Sequence, residues 1–247
     1  MPLHETARYI NTRQFTAYGF PIGGFIEGVT RISRDPETVK GVLAAREALS
    51  RRGLVILDYH NSLADIVVAA INVTQNLGLT NVIAPFAAKH LRGKLVGHLG
   101  KQVEKTGADI SRVFREDEVR MVHTEYKGDY QKAFGVTKEQ AREENRAFAQ
   151  RAERAVHEPR SAIIVAPFGT RQKNLTPESL IAREVTSLLQ SGAAAVCTYA
   201  DPRKTPPFYR VFFSTSIMSF GPNDSRAELT AAIREEFQTL KDRARKP

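Results

Sequence analysis

A histidine and an aspartate, His60 and Asp65, are the residues of this chain best suited to acid–base chemistry. His60 follows closely on an apolar run at 54–57, which is typical of a buried strand. An imidazole with its ordinary pKa of about 6.5 can take a proton from a hydroxyl at neutral pH. A carboxylate one helical turn later can fix the tautomer of the imidazole and stabilise the imidazolium as it forms. The pair therefore predicts a general base that acts on a hydroxyl.

The same two residues also have a purely structural interpretation. Ser62 and Asp65 fit the S-x-x-D pattern of a helix cap, so Asp65 can be a capping residue. His60 can equally be a buried histidine that only satisfies hydrogen bonds. Taken alone, the pair leaves both interpretations open.

Two further strand ends carry an arginine. Residues 166–171 read Ala-Pro-Phe-Gly-Thr-Arg after an apolar run, and Arg115 ends a short predicted strand at 109–114. Such ends present backbone donors, a hydroxyl and guanidinium groups, and arginine binds phosphate through two parallel hydrogen bonds. The alternatives are a tight turn and solvated arginines. Ligands of open α/β sheets bind beyond the carboxyl ends of the strands, so we expect these groups to meet His60 there.

The elements that must position these groups follow an α/β pattern, in which short apolar runs alternate with longer amphipathic ones. The predicted strands are 54–59, 81–86, 109–114, 162–166, 193–199 and 209–220. The predicted helices are 36–52, 62–77, 89–105, 137–157, 176–191 and a final one capped by Ser225 and Glu228, and 116–135 is a predicted loop. From this order we expect one α/β domain at 35–247, with a mostly parallel central sheet flanked by helices. Residues 1–34 form an N-terminal segment, whose glycine-rich part can dock on a membrane or cover the core.

Two of the helix predictions specify a buried face. The side chains expected to face the core in the first helix are Val39, Val42, Leu43 and Leu49. Gly53 is expected to end that helix. A later helix is expected to begin at Thr176-Pro177 and to bury Leu180.

In the order and spacing of its polar blocks, the chain resembles the glycerolphosphate and lysophosphatidate acyltransferase family. The first block of that family, H-x-x-x-x-D, is matched by His60 and Asp65. Its second block ends a strand in arginine, as Arg115 does. Its third block, Phe-Pro-Glu-Gly-Thr-Arg, is matched by residues 166–171. The resemblance covers residues 50–240, most of the chain.

This resemblance implies an acyltransferase-like fold and an O-acyltransferase of phospholipid biosynthesis. His60 is implied as the general base, and Asp65 as the residue that orients it. The residues implied to hold the phosphate of the acceptor are Arg115, Gly169, Thr170 and Arg171. The implied donor is an acyl thioester of coenzyme A or of an acyl carrier protein, and the implied acceptor is phosphorylated or lipid-like. No metal and no further cofactor is implied.

Two positions depart from the family pattern. Phe168 occupies the place of the glutamate of the third block, and the Val-Pro pair of a fourth block has no counterpart at 195–199. An apolar ring thus replaces a carboxylate that helps to seat a polar acceptor. Two alternatives stay open: a more apolar acceptor, or a catalytically weak or inactive relative that binds acyl lipids or anionic ligands.

Composition narrows the class of partner. The 247 residues are 42% hydrophobic and 26% charged, as in ordinary globular proteins, and no apolar stretch reaches the roughly 20 residues of a membrane span. The net charge of +9 favours anionic partners, including an anionic membrane surface. A third function class, nucleic-acid binding, would rest on this charge alone, because no aromatic-rich or zinc-binding signature accompanies it.

Cys197 is the only cysteine, which fits a reducing compartment. We therefore expect a cytoplasmic protein with peripheral contact at the inner face of the membrane.

Overall fold

The computed structural model describes residues 30–60, 76–83, 136–168, 175–202 and 209–246. Outside these ranges it describes the backbone of four short strands: β1 (Thr16–Ala17), β2 (Phe20–Pro21), β6 (Phe86–Ala87) and β7 (Met121–Val122). The helix predicted at 89–105 and the strand predicted at 109–114 lie outside the described residues, as does most of the helix predicted at 62–77. The described end of that helix, at Leu77, is followed by Gly78 with a φ of 65°.

Six strands form the central sheet: β3 (Thr30–Ile32), β4 (Leu54–Asp58), β5 (Asn81–Ile83), β8 (Ser161–Val165), β9 (Ala194–Pro202) and β10 (Tyr209–Phe213). Their order across the sheet is β3-β10-β9-β4-β8-β5. The four strands from β9 to β5 are parallel, β10 is antiparallel to β9, and β3 is parallel to β10. The prediction of a mostly parallel sheet in one α/β domain is confirmed. The last residues of the N-terminal segment, in β3, belong to this sheet.

Four described helices flank the sheet: α1 (Pro36–Arg51), α2 (Lys138–Ala155), α3 (Arg183–Gln190) and α4 (Arg226–Arg245). Helices α2, α3 and α4 cover one face, where they pack against Val55 and Leu57 of β4. Helix α1 covers the other face, against Leu54 and Ile56. Side chains alternate between the two faces of a strand, so all five residues of β4 are buried. This double burial is what a central strand between helical layers requires.

Local residues mark where α1 and α4 begin and where α3 ends. Asp35 accepts a hydrogen bond from the backbone N–H of Thr38, with proline at the first helical position of α1. Ser225 and Glu228 form the predicted capping box of α4. Gly192 follows α3 with a φ of 81°, a left-handed conformation that favours glycine. The predicted capping box of α4 is confirmed.

The predicted buried face of α1 is wrong at Val39 and Leu43, whereas Leu49 is buried as predicted and Val42 is partly buried against the core. The buried residues of this helix are Thr38, Gly41, Ala45 and Leu49. Val39 (45%) and Leu43 (57%) are exposed instead. Leu180, which was predicted to be buried in the helix starting at Thr176, is also exposed (42%). A methyl group on Gly41 would lie 1.9 Å from the carbonyl oxygen of Ser214, so α1 approaches the sheet too closely for branched side chains there.

Gly53 does not end α1 in the predicted way. The helix ends at Arg51, and Arg52 caps it in an extended conformation. A methyl group on Gly53 would lie 1.9 Å from the carbonyl oxygen of Ala155. The glycine is therefore required by close packing against the end of α2, and not by a left-handed turn.

The predicted start of the helix at Thr176 is also wrong, because α3 begins at Arg183. The backbone of 176–182 is bound by α4 and forms only a single turn, in which the N–H of Ser179 donates to the carbonyl oxygen of Thr176 at 3.1 Å. Arg226 donates a hydrogen bond to the carbonyl oxygen of Ile181 at 2.7 Å. The N–H of Ile181 donates to the hydroxyl oxygen of Thr230 at 3.2 Å. Tertiary hydrogen bonds have here replaced local helical ones.

Two predicted strands are shorter than expected. The strand predicted at 81–86 ends at Ile83, and β6 pairs with β7 in a separate two-stranded sheet. Strand β7 falls within the loop predicted at 116–135. The strand predicted at 209–220 ends at Phe213, after which Met218 forms only an isolated bridge to Ala195.

Candidate functional site

The candidate base emerges at the centre of the carboxyl edge of the sheet. Strand β4 lies between β8 and β9, and all three are parallel, so their carboxyl ends share one edge. Leu57 pairs with Val165, and His60 and Phe168 each lie three residues beyond that pair. The chain segments that carry His60 and residues 166–168 therefore leave the sheet side by side.

The residue before His60 is held firmly. The N–H of Tyr59 donates to the carbonyl oxygen of Thr198 at 2.9 Å. The Tyr59 ring packs edge-on against Tyr199 and Phe237, with ring centroids 5.3 and 5.1 Å apart. His60 itself is half-buried, and its Nδ1 atom is shielded from solvent. The backbone that presents the imidazole is thus anchored to both β9 and α4.

A buried carboxylate, Asp58, lies two residues before His60 and was missed by the sequence predictions. Asp58 is 0% exposed and accepts a hydrogen bond at 3.0 Å from the hydroxyl of Thr198, its partner in register on β9. Asp58 is the last residue of β4, so His60 lies two residues beyond the end of the strand. The sequence did contain a sign of this residue, namely an acidic side chain at the end of an apolar run. A carboxylate is costly to bury without hydrogen bonds, so such a position indicates a hydrogen-bonding partner.

The side chain of Phe168 lies in the core. It is 9% exposed and belongs to the apolar cluster between the sheet and helices α2 to α4. The guanidinium carbon of Arg234 lies 5.2 Å from the centre of its ring. A ring in this position contributes little apolar surface to a site beyond the strand end.

Helix α4 contacts both strand exits. Arg234 lies over Phe168, and Phe237 packs against Tyr59. The Nζ atom of Lys241 lies 5.4 Å from the centre of the Tyr59 ring. Spacings of three and four residues put these α4 side chains on one side of the helix. The sequence predictions did not identify these cations, although their spacing around Phe237 is visible in the sequence.

The other predicted site residues lie outside the described ranges. They are Asp65, Arg115, Gly169, Thr170 and Arg171. The structure describes the chain up to Phe168, directly before three of them.

The thiol of Cys197 is buried and unreactive. Cys197 lies in β9 and is 0% exposed. Burial raises the pKa of the Cys197 thiol well above its ordinary value, and the negative charges of Glu236 and Asp58 act in the same direction. Burial also raises the pKa of Glu236, against the opposing effect of Arg243. A thiol of this kind is not a nucleophile at neutral pH.

Two kinds of feature are absent from the described ranges. No group of three His, Cys, Asp or Glu side chains there could hold a metal ion. Among the helices of those ranges, none has the length and apolar character needed to cross a membrane. In comparisons with known proteins, no protein-family model and no curated protein matches the chain.

Proposed function

We propose that the chain is an O-acyltransferase, which moves a fatty acyl group from an acyl thioester to a hydroxyl of a phosphorylated, glycerolipid-like acceptor. The observation that carries the proposal is the parallel pairing of β4 and β8, from which His60 and residues 166–168 leave the sheet side by side. A base next to an anion-binding turn suits a substrate that carries a hydroxyl close to a phosphate. The order of the three polar blocks in the sequence supports the same reaction.

In the proposed reaction, His60 takes the proton of the acceptor hydroxyl as the oxygen attacks the thioester carbonyl carbon. The new C–O bond forms, the C–S bond breaks, and the imidazolium returns the proton to the departing thiolate sulfur. Because Nδ1 of His60 is buried, we assign Nε2 to this proton transfer. Asp65 is assigned to Nδ1, where a carboxylate would fix the tautomer and stabilise the imidazolium.

Recognition of the phosphate is assigned to Arg115 and to the turn at 169–171. Backbone donors and guanidinium groups at strand ends favour a phosphate, and the net charge of +9 raises the local concentration of anionic substrates. The burial of Phe168 favours this polar acceptor over a more apolar one, because the ring is packed under α4. The donor, coenzyme A or acyl carrier protein, supplies the thioester. Such substrates are consistent with a cytoplasmic protein that meets its lipid acceptor at the inner face of the membrane.

A donor-by-acceptor screen tests the proposal. It should pair acyl-coenzyme A and acyl carrier protein donors with glycerol 3-phosphate, lysophosphatidate and their dephosphorylated forms. We expect transfer to the phosphorylated acceptors, and a loss of about 10²- to 10⁴-fold in His60→Ala. His157→Ala is the matched control, since His157 is an exposed histidine near the end of α2 and should retain full activity.

Two results would contradict the proposal. The first is a His60→Ala variant as active as the wild type. The second is wild-type protein that binds acyl ligands but transfers the acyl group to no acceptor of the panel, which would favour the catalytically inactive relative.

A further inference from the structure

Two arginines lie side by side at one end of the central sheet. Arg210 of β10 pairs in register with Arg31 of β3. Side chains alternate between the two faces of a strand, and the neighbouring residues Ile32 and Tyr209 pack on the face that α1 covers. Both arginines therefore project from the other face, which carries α2 to α4. Arg31 is exposed and Arg210 is half-buried.

The two positive charges of this pair are only partly balanced. Like charges opposite each other on neighbouring strands destabilise a sheet. Asp201 of β9 pairs with Arg210 from the other side and projects from the same face, so one carboxylate stands beside two guanidinium groups. The ion pairs that join described residues all involve other cations. Two adjacent arginines of this kind suit a phosphate, whose oxygens accept hydrogen bonds from both guanidinium groups.

The arginine pair lies at the same edge of the sheet as His60. Strand β9 is parallel to β4 and continues beyond the end of that strand. Asp201 lies in this extension, so the row of Asp201, Arg210 and Arg31 lies beyond the carboxyl end of β4, as His60 does. Neighbouring strands are about 4.8 Å apart, which places the backbone of Arg210 about 10 Å and that of Arg31 about 14 Å to one side of β4.

This separation decides which phosphate suits the pair. In glycerol 3-phosphate and lysophosphatidate the hydroxyl and the phosphate share one glycerol unit, which is too short to reach from His60 to a site about 10 Å away. In acyl-coenzyme A, the long pantetheine arm separates the thioester from the phosphates. An acyl carrier protein presents its thioester on the same arm, which a phosphate joins to the protein. The separation therefore fits the phosphate of an acyl donor and not that of the acceptor.

We propose that Arg31 and Arg210 form a second anion-binding site, which holds the phosphate of the acyl donor while the thioester lies at His60. This inference rests on the proposed function, because the thioester donor is part of that proposal. Neither arginine takes part in proton transfer, so their loss should affect donor binding and not the acid–base step. Removal of two mutually repelling charges should leave the free energy of unfolding unchanged or raise it, which urea unfolding measures.

Isothermal titration with coenzyme A tests this site without catalysis. We compare the wild type with Arg31→Gln/Arg210→Gln at constant ionic strength. The matched control is Arg142→Gln/Arg146→Gln, which removes the same charge from an exposed arginine pair on α2. We expect the Kd for coenzyme A to rise about tenfold or more in Arg31→Gln/Arg210→Gln and less than about twofold in the control. Pantetheine, which has no phosphate, should not distinguish the three proteins.

Four results would overturn the inference. The first is an equal Kd in the wild type and in Arg31→Gln/Arg210→Gln, and the second is an equal rise in the control, which would reduce the effect to net charge. The third is wild-type protein that binds neither coenzyme A nor acyl carrier protein. The fourth is binding of acyl carrier protein that depends on the two arginines equally with and without the phosphate-linked arm, which would assign them to the acidic surface of that protein.

Steady-state kinetics separate this inference from the proposed function. In Arg31→Gln/Arg210→Gln we expect the donor KM to rise about tenfold, with the acceptor KM and kcat within about threefold of the wild type. A rise of the acceptor KM alone would overturn the assignment to the donor. If the wild type transfers no acyl group but binds coenzyme A through the arginine pair, the proposed function fails and the site stands.

Discussion

The contact between the last turn of α4 and the first turn of α1 should make stability depend on pH. The guanidinium of Arg243 donates hydrogen bonds to Asp35 and Thr38, both at 2.7 Å, and to the carbonyl oxygen of Phe213 at 2.8 Å. Helix α4 lies on one face of the sheet and α1 on the other, so this side chain joins the two layers at the end of β10. We expect Arg243→Met, which keeps the length of the side chain, to lower the free energy of unfolding by about 2–4 kcal/mol at pH 7.

Part of this loss can be calculated from the carboxyl group of Asp35. Burial alone would raise the pKa of Asp35, but hydrogen bonds from Thr38 and Arg243 lower it from 3.8 to about 2. At about 1.36 kcal/mol per pKa unit this corresponds to about 2.4 kcal/mol, an upper value. The Asp35 side chain is 28% exposed, and solvent screening reduces the contribution to about 1–2 kcal/mol.

The sign of the pH dependence follows from the lowered pKa. A carboxyl group with a lowered pKa contributes its full stabilisation above about pH 4, and this is lost as the pH falls through about 2. The wild type should therefore lose more stability than Arg243→Met over this interval. The stabilities of the two proteins should converge by less than this 1–2 kcal/mol, because Arg243→Met keeps the hydrogen bonds from Thr38 and Ser33 that also lower the pKa of Asp35.

Urea unfolding at pH 7, 4, 3 and 2 measures this convergence. Arg245→Met is the matched control, because Arg245 lies in the same turn and pairs with Asp242 at 3.6 Å in an exposed position. It should cost less than about 0.5 kcal/mol at every pH. A pH dependence in Arg243→Met as steep as in the wild type would refute the reasoning, as would an equal loss in the control.

Two further predictions concern packing around the strand exits and α1. Thr198→Val removes the hydroxyl that donates to buried Asp58 and should lower the free energy of unfolding in urea by about 1.5–3 kcal/mol. Thr198→Ser keeps the hydroxyl and should cost less than about 1.5 kcal/mol, so equal losses would contradict the role of the hydrogen bond. Gly41→Ala puts a methyl group 1.9 Å from the carbonyl oxygen of Ser214 and should destabilise by about 2 kcal/mol, despite the higher helix propensity of alanine. Gly221→Ala, whose nearest neighbour would be 3.9 Å away, should change stability by less than about 0.5 kcal/mol, and an equal effect at both glycines would argue against close packing of α1.

The elements that local signals specify were predictable from the sequence. Strand β4 and strand β8 are uninterrupted apolar runs, which mark strands buried on both faces. Helix α4 combines a capping box at Ser225 with a regular apolar stripe, and both signals depend only on nearby residues. The parallel edge that brings His60 beside Phe168 follows from the α/β order, because parallel strands share one carboxyl edge.

The features that depend on tertiary contacts were not predictable in the same way. The apolar pattern of α1 indicated Val39 and Leu43 as buried, but the close approach of Gly41 to the sheet turns another face inward. Hydrogen bonds from α4 keep 176–182 out of a helix that its sequence favours locally. The burial of Phe168 under Arg234 likewise depends on a residue far away in the chain. Contacts between residues that are far apart in the chain leave no periodic pattern in the sequence.

The acceptor-dependent release of thiol from an acyl thioester tests the central claim most directly. Purified wild type and His60→Ala should first be shown to unfold at the same urea concentration, so that a difference in rate reports on the site. The account predicts that glycerol 3-phosphate or lysophosphatidate accelerates thiol release by the wild type, and that His60→Ala lowers this rate about 10²- to 10⁴-fold. Release by His60→Ala at the wild-type rate would contradict the assignment of His60 as the base.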